Sequence, residues 1–119
     1  MSTIISNQKN MAVADEIKQL SSEMKIVMQQ FYGNRLEKII LYGSYARGDY
    51  RSDSDINFII LLKDENVNTS AEISNLSPHV TDLNLKYGKF ISFTPVSLQR
   101  YLTRNIPAYV NIRNEGIEL

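Results

Sequence analysis

The sequence predicts a single α/β domain, a small mixed sheet with helices packed against it, on three observations. Two short continuous apolar runs, Ile39-Ile40-Leu41-Tyr42 and Ile56 with Phe58 to Leu62, read as strands buried on both faces. Two longer segments, Met11 to Phe31 and Thr69 to Tyr87, space their apolar residues by three and four, as one helix face does. The length of 119 residues suits one core, without room for separate catalytic and regulatory domains. Elements alternating in this way build a layer of helices on a sheet.

In order, residues 1–10 read as a flexible N-terminal segment of a domain spanning 1–119, since Asn7, Gln8, Lys9 and Asn10 are all polar. The first helix carries Val13, Ile17, Leu20, Met24, Val27, Met28 and Phe31 on one face, and Gly33 supplies its stop. Packing that face on a sheet makes its methionines core. The strand at Ile39 to Tyr42 ends in Gly43, and Ser44 to Asp55 reads as a short helical turn and then a loop into the second strand. Thr69 and Glu72 form a capping-box pattern, followed by Ile73, Leu76, Val80, Leu83 and Tyr87 on one face and a stop near Gly88. Pro78 lies inside this helix and predicts a kink or a restart capped by Ser77. Lys89 to Thr94 reads as a third strand ending at Pro95, at a sheet edge or strand terminus. A short helix over Ser97 to Leu102 follows, and another opens at Pro107 and closes before Gly116.

Composition narrows the function classes. Thirteen basic and thirteen acidic residues cancel, so no global field draws the chain to nucleic acid or an anionic membrane surface. Cysteine is absent, which removes disulfide and thiolate-metal chemistry. The start lacks the apolar core of a secretory signal and no run approaches membrane-spanning length, so the expected location is cytoplasmic. The sole histidine, His79, cannot build a metal cluster and reads as structural.

The residues with chemistry lie between the two apolar runs. A strand ending in Gly43-Ser44 and turning into a short helix lets backbone N–H groups and the Ser44 hydroxyl face a phosphate, with Gly43 allowing close approach and Gly48 ending the turn at positive φ. Asp55 follows at the mouth of the second strand, and Asn57, two residues on, shares its face. Such a pair could share a magnesium ion, which is often held by one or two carboxylates with substrate phosphates and waters. Equally, Asp53 and Asp55 could cap turns. Arg47 and Arg51 could touch phosphates or pair with Asp53 and Asp55, and the residues favour the ion pairs. Arg100 and Arg104 read as a solvated surface, and the missing lysine after the turn counts against a P-loop.

Gly43 to Asn57 resembles the signature of the minimal nucleotidyltransferases of the DNA polymerase beta superfamily: Gly-Ser, about ten residues, then Asp-x-Asp opening a strand. Ala46-Arg47-Gly48 and Ser54-Asp55-Ile56 also match, and the similarity extends over Ile17 to Leu119. Tyr87-Gly88, Pro95-Val96-Ser97 and Glu115-Gly116-Ile117 resemble small stand-alone members, often partnered with HEPN-domain proteins in toxin-antitoxin pairs. The resemblance implies a nucleotidyltransferase fold in which three carboxylates hold two metal ions, activating a hydroxyl against a bound nucleoside triphosphate. It assigns Gly43 and Ser44, with Arg47, to nucleotide binding, Asp55 to metal and catalysis, and Asn57 to the second catalytic position, where the family carries aspartate. The third carboxylate should come from the third strand, yet Phe90 to Val96 contains no acid, and Ser92 is the position expected to face the site. Asn57 is neutral and cannot act as a general base, a loss commonly costing a factor of about 100 to 10,000. A shifted pair, Asp53 with Asp55, is the one rescue.

The expected protein is therefore a nucleotidyltransferase-like partner of a HEPN-like protein, antitoxin in type, binding Mg2+ with ATP or another nucleoside triphosphate and impaired in catalysis. The alternatives are an active adenylyltransferase moving AMP from ATP onto a protein or small-molecule hydroxyl, and an interaction module that binds no nucleotide. The sequence leaves the oligomeric state open.

Overall fold

The computed structural model describes residues 2–119, with side chains from Asp15 onward. Its elements, in chain order, are α1 (Ser2–Tyr32), a 3-10 turn (Gly33–Arg35), β1 (Leu36–Tyr42), α2 (Ser44–Arg47), β2 (Ile56–Leu62), α3 (Thr69–Tyr87), β3 (Ile91–Ser97), α4 (Leu98–Thr103), α5 (Pro107–Glu115) and β4 (Ile117–Glu118). The sheet order is β3-β2-β1-β4, with β2 parallel to β3 and β1 antiparallel to both β2 and β4. It is the small mixed sheet with packed helices that the sequence predicts.

α1 begins at Ser2, well before the Met11 at which its apolar spacing starts; the side chains of Met11 and Val13 lie outside the described residues. Its inner face is Ile17, Leu20, Met24, Met28 and Tyr32, and the two methionines are fully buried core. Phe31 departs from the predicted stripe: a step of four from Met28 reaches Tyr32, so Tyr32 turns inward and Phe31 packs edge-on against Tyr32 and His79 at the surface.

Three expectations are corrected and one strand is added. Asn68, not Thr69, caps α3, its side chain accepting from the Ala71 amide; Thr69 instead donates to the Pro95 carbonyl, and Glu72 accepts from Tyr32 and Arg35. α3 runs unbroken through Pro78, and the Ser77 hydroxyl bonds the Ile73 carbonyl rather than capping a restart. β3 continues through Pro95 to Ser97. Because N and C=O of a strand residue point the same way, the outward Pro95 carbonyl places its ring nitrogen on the open side of this edge strand, where no ladder bond is lost. β4 was not legible as a strand at all: two residues pair with Ile40 and Leu41. Gly116 admits it through space rather than φ, since a Cβ there would stand 2.5 Å from Ile40 Cγ2 and 2.6 Å from the Ile112 carbonyl oxygen.

One sheet face, bearing Ile39, Leu41, Ile56, Phe58, Ile60 and Ile91, packs under α1 and α3 in the larger core. The other bears Ile40, Ile59, Leu61 and Val96 under α4 and α5. β2 is buried at every position but one, Asn57, which is half-buried.

Candidate nucleotidyl-transfer site

Asn57 is held by register. It pairs across the antiparallel ladder with Tyr42 and across the parallel ladder with Ser92, and laterally paired residues share a face. Tyr42, Asn57 and Ser92 therefore form a row on the face that α4 and α5 cover only farther along the strands. Ser92 is where the sequence expected it, and no residue of this row is an acid. Tyr42, read from sequence only as strand, is the site neighbour that was missed; its signal was its position as the last residue before Gly43. Burial pushes its phenol pKa up, partly offset by a bond with Thr94.

The Gly-Ser turn meets this row directly. Gly43 has φ 82° and ψ −155°, and a Cβ on it would lie 2.6 Å from the Asn57 side-chain amide nitrogen. The dihedral favours glycine, and any side chain there would also have to displace the Asn57 amide. Ala46 and Arg47 donate to the Gly43 carbonyl at 3.0 Å each, so the Ser44 and Tyr45 amides precede the first bonds of α2 and have no partner within the helix. Gly48 closes the turn at φ 89°, as expected, with its amide on the Ser44 carbonyl at 2.8 Å.

The loop is then folded back on itself. Tyr45 and Tyr50 stack with ring centroids 4.5 Å apart and planes 11° from parallel. The Ser54 hydroxyl accepts from the Arg51 amide at 2.8 Å, and the Ser54 amide donates to the Arg51 carbonyl at 3.1 Å. Ser54 thus performs the turn closure that Asp53 or Asp55 could have done. Both aspartates are exposed and, among the described residues, engage in no side-chain hydrogen bond or salt bridge. Arg47 does form ion pairs, but not with them: its guanidinium reaches Asp49 at 3.3 Å and Glu115 at 3.2 Å, which raise its pKa further. Arg100 and Arg104 lie beyond the other end of β3, with no part in this corner.

The donor set near this turn, Asp55, the Asn57 carbonyl oxygen and Asp53, consists of oxygen atoms, the type that a hard cation shared with a nucleotide's phosphates prefers. It does not fit a closed two-ion site, because no group of three or more His, Cys, Asp or Glu side chains able to hold a metal occurs among the described residues.

The mixed sheet, the Gly-Ser turn on β1 and the polar row at the mouth of β2 define a nucleotidyltransferase-type domain. The chain belongs to the nucleotidyltransferase domain family, whose model matches residues 15–102. It is 30% identical over 104 residues to MJ0141 of Methanocaldococcus jannaschii, provisionally named a protein adenylyltransferase, covering 87% of this chain and 99% of that one. It is 43% identical over 86 residues to MJ0604 of the same organism, named in the same way, covering 71% of this chain and 79% of the relative. Among solved structures it resembles a toxin-antitoxin crystallised with AMP-PNP, with TM-score 0.55, 16% identity and coverage of 88% and 70% of the two chains. A mutant of the toxin-antitoxin MntA-HpeT gives TM-score 0.57 and 14% identity over 82% and 69%. At these identities the solved structures show the fold alone. No helix among the described residues is long and apolar enough to cross a membrane.

Proposed function

We propose that this chain binds a magnesium nucleoside triphosphate, serves as the antitoxin-type partner of a HEPN-like protein, and turns over slowly because its carboxylate set is incomplete. The observation that carries the reading is the amide of Asn57 lodged against Gly43, in a lateral row with Ser92. A neutral side chain fills the position nearest the phosphate turn. The toxin-antitoxin neighbours, one of them with AMP-PNP, support the nucleotide and the partner.

In this reading the Ser44 and Tyr45 amides and the Ser44 hydroxyl take up phosphate oxygens, and Gly43 lets the backbone approach them. Asp55, with the Asn57 carbonyl oxygen and Asp53, would hold the Mg2+, which supplies charge neutralisation on the triphosphate. Nucleotide binding needs only this much. Transfer needs in addition a group to take the acceptor hydroxyl's proton, and Asn57, Ser92 and Tyr42 are each neutral at pH 7. Arg47 as a phosphate ligand would have to leave Asp49 and Glu115.

The names of the two relatives favour a second reading, an active adenylyltransferase that moves AMP from ATP onto a hydroxyl, with Asp53 and Asp55 as the working pair. Calorimetry with ATP and Mg2+, alongside transfer of labelled AMP to a co-expressed HEPN-like protein, separates the two. Saturable heat without transfer, and tighter metal binding in Asn57→Asp, is the expected result. Transfer abolished by Asp55→Ala establishes the second reading, and no heat with no thermal shift leaves an interaction module.

A further inference from the structure

A cavity of about 510 Å3 lies on the face of the sheet opposite Asn57, between α1 and the β1–β4 edge. Its walls are Ile17, Leu41, Ile117 and Leu119 with the stacked pair Tyr45 and Tyr50. The volume is within the range of small-molecule sites, about 300 to 1,000 Å3. Apart from the two tyrosine hydroxyls, its polar groups come from one stripe of α1: Lys18, Ser21, Ser22 and Lys25, spaced so that they share a helix face. Among the described residues no acidic side chain lines it, and neither lysine has a carboxylate within salt-bridge distance. Lys38 and Lys86, outside its lining, are paired with Glu118 and Glu23. Two of the residues in its wall, Ser21 and Tyr45, are more than nine-tenths buried, and their hydroxyls have no hydrogen-bond partner, which buried polar groups rarely tolerate.

We infer that this cavity binds an amphipathic organic anion, an apolar body ending in a carboxylate, at a site separate from the nucleotide corner. The aliphatic and aromatic walls take the apolar body, and the two unpaired ammonium groups of α1 supply the complementary charge for the acid. Charge selects the occupant: an uncharged chain would leave both lysines as they are, and a cation would be repelled. The reading does not rest on nucleotide binding, because the cavity opens on the Leu41 face of the sheet and Asn57 lies on the other; the two share only α2, whose Tyr45 ring walls the cavity while its amides face the nucleotide corner.

Decanoate is the probe, titrated by calorimetry into the full chain with decanol and acetate as controls. Saturable one-to-one binding is expected, with decanol and acetate each weaker. The double variant Lys18→Met with Lys25→Met should lose about tenfold for decanoate, the sum of two partly exposed ion pairs, and nothing for decanol. Saturating ATP and Mg2+ should not displace decanoate competitively. Absence of saturable binding to a folded chain overturns the inference, as does equal affinity for decanol, competition by ATP, or a self-associated chain whose interface buries the cavity.

Discussion

The two faces of the sheet are made by alternate residues of the same strands, yet they end differently. Under α1 and α3, Phe58, Ile60, Leu20, Met24, Leu76 and Val80 are closed from water along the length of β2. On the opposite face α4 and α5 are short and bury Ile40, Ile59, Leu61 and Val96, with Tyr42 packed at the margin of that cluster, so Tyr42, Asn57 and Ser92 are left half-buried at the β2 entrance. A sheet face becomes a site where its covering layer stops. The face left uncovered can carry polar residues without the desolvation cost that the same residues would meet one position along.

The sharpest way to break this comparison is to truncate adjacent residues of β2. Phe58→Ala should cost about 3–5 kcal/mol in urea unfolding, because a fully buried ring leaves a cavity. Asn57→Ala, one residue away on the other face, should cost about 1 kcal/mol or less. Equal losses would mean that the Asn57 corner is as closed as the core. Next, Gly43→Ala should destabilise by about 1–3 kcal/mol through its positive φ and the crowded Asn57 amide. Adding Asn57→Gly should recover part of that loss; strictly additive values would show that the two residues do not touch.

A third outcome separates the faces by pH. Tyr32, buried at the end of α1, has its pKa raised first by burial and then by its bond to Glu72, further than Tyr42, which is raised by burial on the open face. A raised pKa contributes stability that is whole below the unfolded value near 10 and is lost as pH climbs above it. Tyr32→Phe should therefore flatten the decline of stability between pH 10 and 11 by up to about 1.4 kcal/mol per pH unit. Tyr42→Phe should do so less, and the reverse order would contradict the packing described. The smallest effect expected is at Arg47. Its half-exposed pairs with Asp49 and Glu115 make Arg47→Met the smallest change in stability of the set, and ATP affinity should change by no more than about threefold. A larger loss of affinity with unchanged stability would assign Arg47 to the phosphate.

Much of this architecture was legible because it is local. Apolar runs and three-four spacings are properties of neighbouring residues, so β1, β2, α3 and α5 follow from them to within a few residues, and α1 does at its C-terminal end but not at its start. The failures share a different cause. Thr69 with Glu72 is a valid capping pattern, but tertiary partners at Pro95, Tyr32 and Arg35 claimed both side chains and Asn68 took the cap. Pro95 reads as a stop, yet an edge strand exposes the side on which its missing N–H does no harm. β4 carries too few residues for any period. In the site, Gly43, Ser44, Asp55 and Asn57 were readable as a spaced motif, whereas Tyr42 and the partners of Arg47 were not, since register and the return of α5 bring them together.

By itself the sequence determined a turn suited to phosphate, a strand entered through Asp55, and a neutral residue at position 57 where its resemblance expects an acid. These are matters of residue type and spacing, written along the chain. That Asn57 stands against Gly43, that Ser54 closes the loop and leaves both aspartates without a side-chain partner among the described residues, and that two lysines of α1 border an apolar cavity on the far side of the sheet, follow from the folded arrangement alone. Those facts depend on which strand lies beside which and where a covering helix ends, and no local pattern encodes them.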